Sequence, residues 1–266
     1  IPGNQTPWKN ATAGVQRVGD SDETVMLAEN FLWYGLALRG TELGDRLIAM
    51  ADFYFEEHVV PKYIDGIFKG GIWGEGLEYD TKTNQHWPIN YLLNKQYRPE
   101  KLAEYQAKGW DFDKFFNDAI EGYIYLTVGD NVQSRTHGSN QHPGPWHLNE
   151  IFYLPNMYRS MMIFAGATTS ERHKKLANGW AEDLKDRHGA TRTQNTGTWH
   201  MLFEEPELGT FSAQTGGPPT TFTADGPNMV HTRTGWGADA SSFYISATAR
   251  KADHINSDTL SFDYFR

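Results

Sequence analysis

Three polar side chains stand at alternate positions near the end of the chain, His254, Asn256 and Asp258 in ADHINSDTLSFDYF. A row at i, i+2 and i+4 lies on one face of an extended segment, so an imidazole, an amide and a carboxylate can converge there on one point. A polar turn ahead of a strand explains the same residues, because Asp, Asn and Ser bond to their own backbone. A second group sits in SRTHGSNQHPGPWH, which carries Arg135, His137, Asn140, His142 and His147. Two histidines five apart suit a metal, but no third ligand accompanies them. A surface loop containing histidines is the plainer account. The third group is DGIFKGGIWGEGLEYD, with Glu75, Glu78, Tyr79 and Asp80. Its carboxylates have the chemistry of a glycosidase acid and base, although loop carboxylates are usually just solvated. Trp73, Trp87 and Trp146 near these groups either form flat platforms for sugar rings or anchor their loops.

The elements that must carry these groups change character along the chain. Ser21 stands where a cap is needed, Asp22 and Glu23 follow it, and Val25, Ala28, Leu32 and Leu36 recur at three-to-four spacing up to Gly40. Leu43, Leu47, Met50 and Tyr54 repeat the period after a short RGTE link, which predicts an antiparallel helical pair. Further helices are expected over 99–107, 112–126, 155–165 and 171–186, the last with Leu176, Trp180 and Leu184 on one side. SRTHGSNQHPGPWH is too rich in Gly, Pro, Ser and Asn to be regular. Near residue 190 the period becomes two. TGTWHMLF, PTTFTA, NMVHTRTGW, SSFYISATA and TLSFDYF read as strands, with Phe243, Ile245 and Ala247 alternating, then Leu260, Phe262 and Tyr264. Helices followed by strands define an α+β chain, divided here into a helical unit, 1–190, and the start of an antiparallel β unit, 191–266. The last strand meets the chain end without a turn, which reads either as a cut chain or as an edge strand.

With 266 residues, 39% of them hydrophobic, the chain can bury a sizeable core. No run approaches the ~20 apolar residues of a membrane span, and IPGNQTPWKN lacks the basic and apolar regions of a signal peptide. The absence of cysteine excludes disulfides, thiolate metal sites and cysteine nucleophiles, while leaving the compartment open. NQT at Asn4 and NAT at Asn10 are glycosylation sequons, which matter only in a eukaryotic secretory host. A net charge of −9 without a Lys/Arg cluster argues against a nucleic-acid partner. A polyanionic substrate remains compatible, since a site needs only a few local cations or donors.

Three segments together resemble the heparinase II/III-like polysaccharide lyases: AENFLWYGLAL, DGIFKGGIWGEGLEYD and VHTRTGWGADASSFYISATARKADHINSDTLSF. The resemblance runs in order from about residue 20 to 266. It implies an incomplete (α/α) toroid of helical hairpins followed by an antiparallel β-sandwich domain, only part of each being present. The implied activity is cleavage of a uronic-acid polysaccharide by β-elimination in a periplasmic or secreted enzyme. Its partner would be an anionic polysaccharide or oligosaccharide, whether sulfated glycosaminoglycan, alginate, glucuronan or ulvan.

Such a lyase removes the C5 proton beside a carboxylate and expels the O4 oxygen, so it needs a carboxylate neutraliser, a base and an acid. By resemblance, Tyr79 is the catalytic tyrosine, Asn30 holds the substrate carboxylate, and His254 reaches in from the β domain. The pattern departs at Phe31, where relatives often have His, and at Asn256, where many relatives have a metal-ligating His. Bare residues offer alternatives: a packed loop tyrosine, a solvated helical asparagine and a structural histidine. Arg135, His137, Asn140, Trp73, Glu75 and Trp146 are the expected substrate contacts. No cofactor is required, and a structural zinc or calcium ion in the β domain rests only on Asn256 and Asp258. A uronate C5-epimerase and a non-catalytic glycan-binding protein are the other functions this pattern fits.

Overall fold

The computed structural model describes residues 22–66, 68–72, 86–128, 133–134, 146–147, 153–188, 202–203, 205–212, 215–237, 239–247 and 261–265. Helix α1, Asp22–Ala37, buries Val25, Ala28 and Leu32, the face its spacing predicts. It turns back into α2, Glu42–Tyr54, through the short link expected, with Thr41 accepting the Gly44 N–H at 3.0 Å as N-cap. The two axes come close because both carry glycine at the contact. A Cβ on Gly35 would lie 2.7 Å from Ile48 Cγ1, and one on Gly44 would lie 2.1 Å from the Leu38 carbonyl oxygen. The exposed side of α2 includes Leu43, 56% accessible, although the helical period put it on the apolar face.

Beyond α2 the chain stays helical through a π-turn, Phe55–Val59, into α3, Val60–Tyr63. Pro61 has no N–H for the carbonyl four residues back and its ring crowds that carbonyl, so the helix widens just before it. Helix α4, Trp87–Tyr97, lies outside the elements expected from periodicity. Pro88 sits in its first turn, and two buried asparagines interrupt its apolar pattern. Asn90 donates to the Ala28 carbonyl at 3.1 Å, and Asn94 Nδ2 reaches Asn90 Oδ1 at 2.9 Å. Hydrogen bonds, one to α1 and one within α4, satisfy the buried amides at those positions. Arg98, ahead of Pro99, leaves the helical region (φ −146°, ψ 55°) and separates α4 from α5, Pro99–Ala107. Helix α6, Phe112–Leu126, has the span expected, while α7, Tyr153–Ala167, and α8, Glu171–His188, run two residues longer than expected at their ends.

The core between these helices is aromatic. Trp87 packs on Phe116 (5.2 Å between ring centres) and Phe115 (4.7 Å), with Tyr63, Tyr91 and Phe112 around it. Fully buried Trp87 therefore offers no face to a sugar, which corrects one of the platform assignments.

The described residues include two antiparallel sheets, the first between α6 and α7 and the second after α8. The first is a ladder of two-residue strands, β1 (Thr127–Val128), β2 (Gln133–Ser134) and β3 (Trp146–His147), bracketing the loop read as irregular. The second is a meander of β4 (Thr221–Ala224), β5 (Met229–Arg233), β6 (Ser242–Ser246) and β7 (Ser261–Phe265) in sequential order. Of TGTWHMLF, Leu202 and Phe203 are described, and they are helical, not extended. One face of the meander packs on α6 through Phe222, which stacks on Tyr125 at 5.3 Å. Its buried face on β6 is Ser242, Tyr244 and Ser246, while Phe243 and Ile245 lie on the opposite, less buried face. There Ile245 is paired with Phe262 and Phe243 with Tyr264, and Phe262 (74%) and Tyr264 (59%) are exposed. On β6 and β7 alternation located the strands but pointed to the wrong covered face.

Candidate functional site

The described polar centre nearest the expected chemistry lies where α1 meets the start of α4. Glu29 accepts from His86 Nδ1 at 2.5 Å and from the indole of Trp33, one helical turn on, at 3.1 Å. Both members of the Glu29–His86 pair are largely shielded from water. His86 immediately precedes Trp87, so this bond fixes the point at which the chain enters α4. Arg159 on α7 feels the Glu29 charge; burial pulls its guanidinium below the ordinary value, and Glu29 offsets part of that pull. Next to Glu29, Asn30 is exposed on α1. The described groups here are thus an exposed amide on α1 and, beside it in sequence, a carboxylate that holds an imidazole at the entry to α4. Together they supply donors for an anionic group and a group able to move a proton.

The Gly-rich segment that leads toward His86 is anchored at its other end. Gly70 (φ 99°) lies against the β4 backbone, where a Cβ would come within 2.6 Å of Ala224 Cα, and Gly71 (φ 82°) lies against Ala119 of α6. Gly226 N–H donates to the Lys69 carbonyl at 2.7 Å. Ile72, next in the chain, is wholly buried.

Asn30 is the expected catalytic residue that falls within the described residues. Tyr79, His254, Trp73, Glu75, Arg135, His137 and Asn140 lie outside them, as do Glu78, Asp80, His142, Asn256 and Asp258. For Trp146 and His147 the backbone is described, paired with β2. Glu29, His86 and Arg159 were not among the residues expected from sequence. The Glu29 to Trp33 spacing of four was a readable signal, whereas His86 lies 57 positions from its partner.

Two further polar clusters belong to the scaffold. Ser170 Oγ lies 2.7 Å from His173 Nδ1, and His173 Nε2 lies 3.2 Å from Glu121 Oε1, the sequence of groups in a nucleophile, base and orienter. Ser170, however, directly precedes α8 and accepts the His173 N–H at 3.5 Å, while Glu121 Oε1 also takes Arg172 Nη1 at 2.9 Å. Arg172 reaches on to the Gly217 carbonyl at 3.2 Å, so the network ties α6, α8 and the approach to β4 together. At the sheet, Arg233 lies over Trp236, 4.3 Å from the ring centre, and Trp236 donates to the Pro218 carbonyl. Among the described residues there is no group of three or more His, Asp or Glu able to hold a metal, and no helix long and apolar enough to cross a membrane. No family model matches this chain, and no curated protein matches it significantly.

Proposed function

We propose that this protein is a polysaccharide lyase that cleaves a uronic-acid polymer by β-elimination, removing the C5 proton and expelling O4. The observation that carries the reading is the placement of Asn30. It is open to solvent beside the Glu29–His86 lock, and that lock ends the segment containing Tyr79. In this reading Asn30 donates to the substrate carboxylate as charge builds at C5, and Tyr79 and His254 move the protons. Arg135, His137, Asn140, Trp73, Glu75 and Trp146 contact the polymer, and no cofactor is needed. The enzyme acts outside the cytoplasm, where such polymers occur.

Two features of the architecture support the corresponding fold, an arc of an (α/α) toroid followed by one layer of a β-sandwich. Helices α1 and α4 run in the same direction, as the paired contacts 29 to 86, 28 to 90 and 39 to 97 require, with α2 antiparallel to α1. The outward face of the meander carries Phe243, Ile245, Phe262 and Tyr264, apolar side chains suited to a facing sheet.

The test is a pair of variants on a uronan the parent cleaves. Tyr79→Phe keeps the ring and removes the hydroxyl, so kcat should fall ~10²–10⁴-fold with binding nearly intact. Asn30→Ala should lower kcat ~10²–10³-fold through loss of a transition-state donor. Parental kcat in Tyr79→Phe, or an Asn30→Ala effect confined to KM, contradicts these roles.

A further inference from the structure

A groove of about 330 Å³ runs between the C-terminal turns of the parallel helices α1 and α4, lined by Trp33, Leu36, Ala37, Arg39, Leu93 and Tyr97. Trp33 and Tyr97 are 46% and 54% accessible, high values for rings of this size at a groove. The polar end of Trp33 is already occupied, since its indole N–H donates to Glu29. What Trp33 has left for a ligand is its apolar surface. Glu29 in turn holds His86, so the ring is braced to the polar centre, one helical turn from Asn30 on the same exposed side of α1. At the far end Arg39 is tethered to the rim by an Nη1 bond to the Tyr97 carbonyl at 3.4 Å. Among the described residues Arg39 is the one charged side chain lining the groove and no carboxylate lines it, in a chain whose net charge is −9.

We propose that this groove is a subsite for a pyranose ring bearing a carboxylate, at a position of the chain next to the one being cleaved. The proposal rests on the lyase reading for its ligand class. The groove supplies the two things such a ring needs: aromatic surface for its C–H face, and a guanidinium for its carboxylate. Continuity with Asn30 through the bond from Trp33 to Glu29 selects a substrate longer than one residue over an unrelated small ligand. An apolar protein segment would find Arg39 uncompensated at its end of the groove.

The test measures binding of a defined oligouronate, and of the same oligomer with its carboxylates reduced to alcohols, to the full chain, Arg39→Ala and Trp33→Ala. Isothermal titration gives affinity, and far-UV circular dichroism checks that the variants are folded. Both substituted side chains are exposed, and Arg39→Ala leaves the Glu29 bonds untouched. The expected result is a loss of about tenfold or more in affinity for the acidic oligomer in each variant. The reduced oligomer should bind the parent no better than the acidic one binds Arg39→Ala. Parental affinity in both variants, or equal binding of acidic and reduced oligomers, overturns the subsite while leaving the lyase reading in place if the parent still cleaves the polymer. A parent that neither binds nor cleaves any uronan overturns both. If sedimentation shows a dimer that the substitutions dissociate, with sugar binding unchanged, the groove is a self-interface and the subsite is wrong.

Discussion

Glu29 illustrates how much of the site depends on single side chains. Its carboxylate holds donors from two elements, the His86 imidazole and the Trp33 indole, in a shielded setting where an unpaired partner is costly. Glu29→Gln keeps the shape but removes the charge, and an amide cannot accept from both donors as strongly. Loss of about 1–3 kcal/mol is expected, seen as a lower urea midpoint with an unchanged m value. An unchanged midpoint would mean that the pair does not hold α4 to α1. Half of this arrangement was legible in the sequence, because residues 29 and 33 are neighbours on any helix. His86 was not legible, since nothing local marks which distant carboxylate an imidazole will meet.

Between elements, Arg98 makes a two-pronged contact on Asp52, with Nη1 to Oδ1 at 2.7 Å and Nη2 to Oδ2 at 2.6 Å. It joins α2 to the break between α4 and α5. Burial lowers the Arg98 guanidinium pKa, but the bonds from Asp52 outweigh it and hold the value above the ordinary one. Asp52→Ala leaves a half-buried cation with the Asn94 amide oxygen as its remaining partner among the described residues and should cost about 1.5–3 kcal/mol in urea unfolding. A loss under about 1 kcal/mol would show Arg98 to be satisfied without Asp52.

The helix α6 to α8 junction carries a pH dependence. Burial pushes the Glu121 carboxyl up, yet His173 and Arg172 pull it further down, so it lies below its ordinary value of 4.5. The unfolded chain therefore binds this proton more readily. The stabilisation is present in full above about pH 4.5 and is lost as pH falls through the lower folded value. Glu121→Gln should flatten that acid limb of the stability profile, and a profile of unchanged slope would contradict the assignment.

Local pattern located most elements at this scale. Residues 99–107 and 112–126 are the helices α5 and α6 with both bounds as expected, because their apolar spacing and flanking breakers agree with the packing. Helix α4 escaped because buried Asn90 and Asn94 read as polar punctuation until the bond of Asn90 to α1 and that of Asn94 to Asn90 are known. On β6 the apolar Phe243 and Ile245 mark the alternation, but the buried face is the one that carries Ser242, Tyr244 and Ser246. Which face of a strand its neighbours cover is not marked in that strand's own sequence.

For the whole molecule, the helical and sheet parts meet through aromatic packing. Tyr125 stacks on Phe222 and meets Trp236 edge-on at 5.0 Å, while His231 packs on Tyr244 at 4.5 Å. The Lys69–Gly71 clasp uses the same junction to anchor the segment that leads to Tyr79. A lyase site drawing on α1, that segment and the β unit would require this joint to be firm, and the proposed β-elimination has a direct optical readout. It is tested most directly by mixing the protein with a panel of uronans, alginate, glucuronan, ulvan and glycosaminoglycans, and following the absorbance of the unsaturated uronate product. The account predicts a steady rise with at least one polymer. No rise with any of them, or inversion at C5 without an unsaturated product, would contradict it.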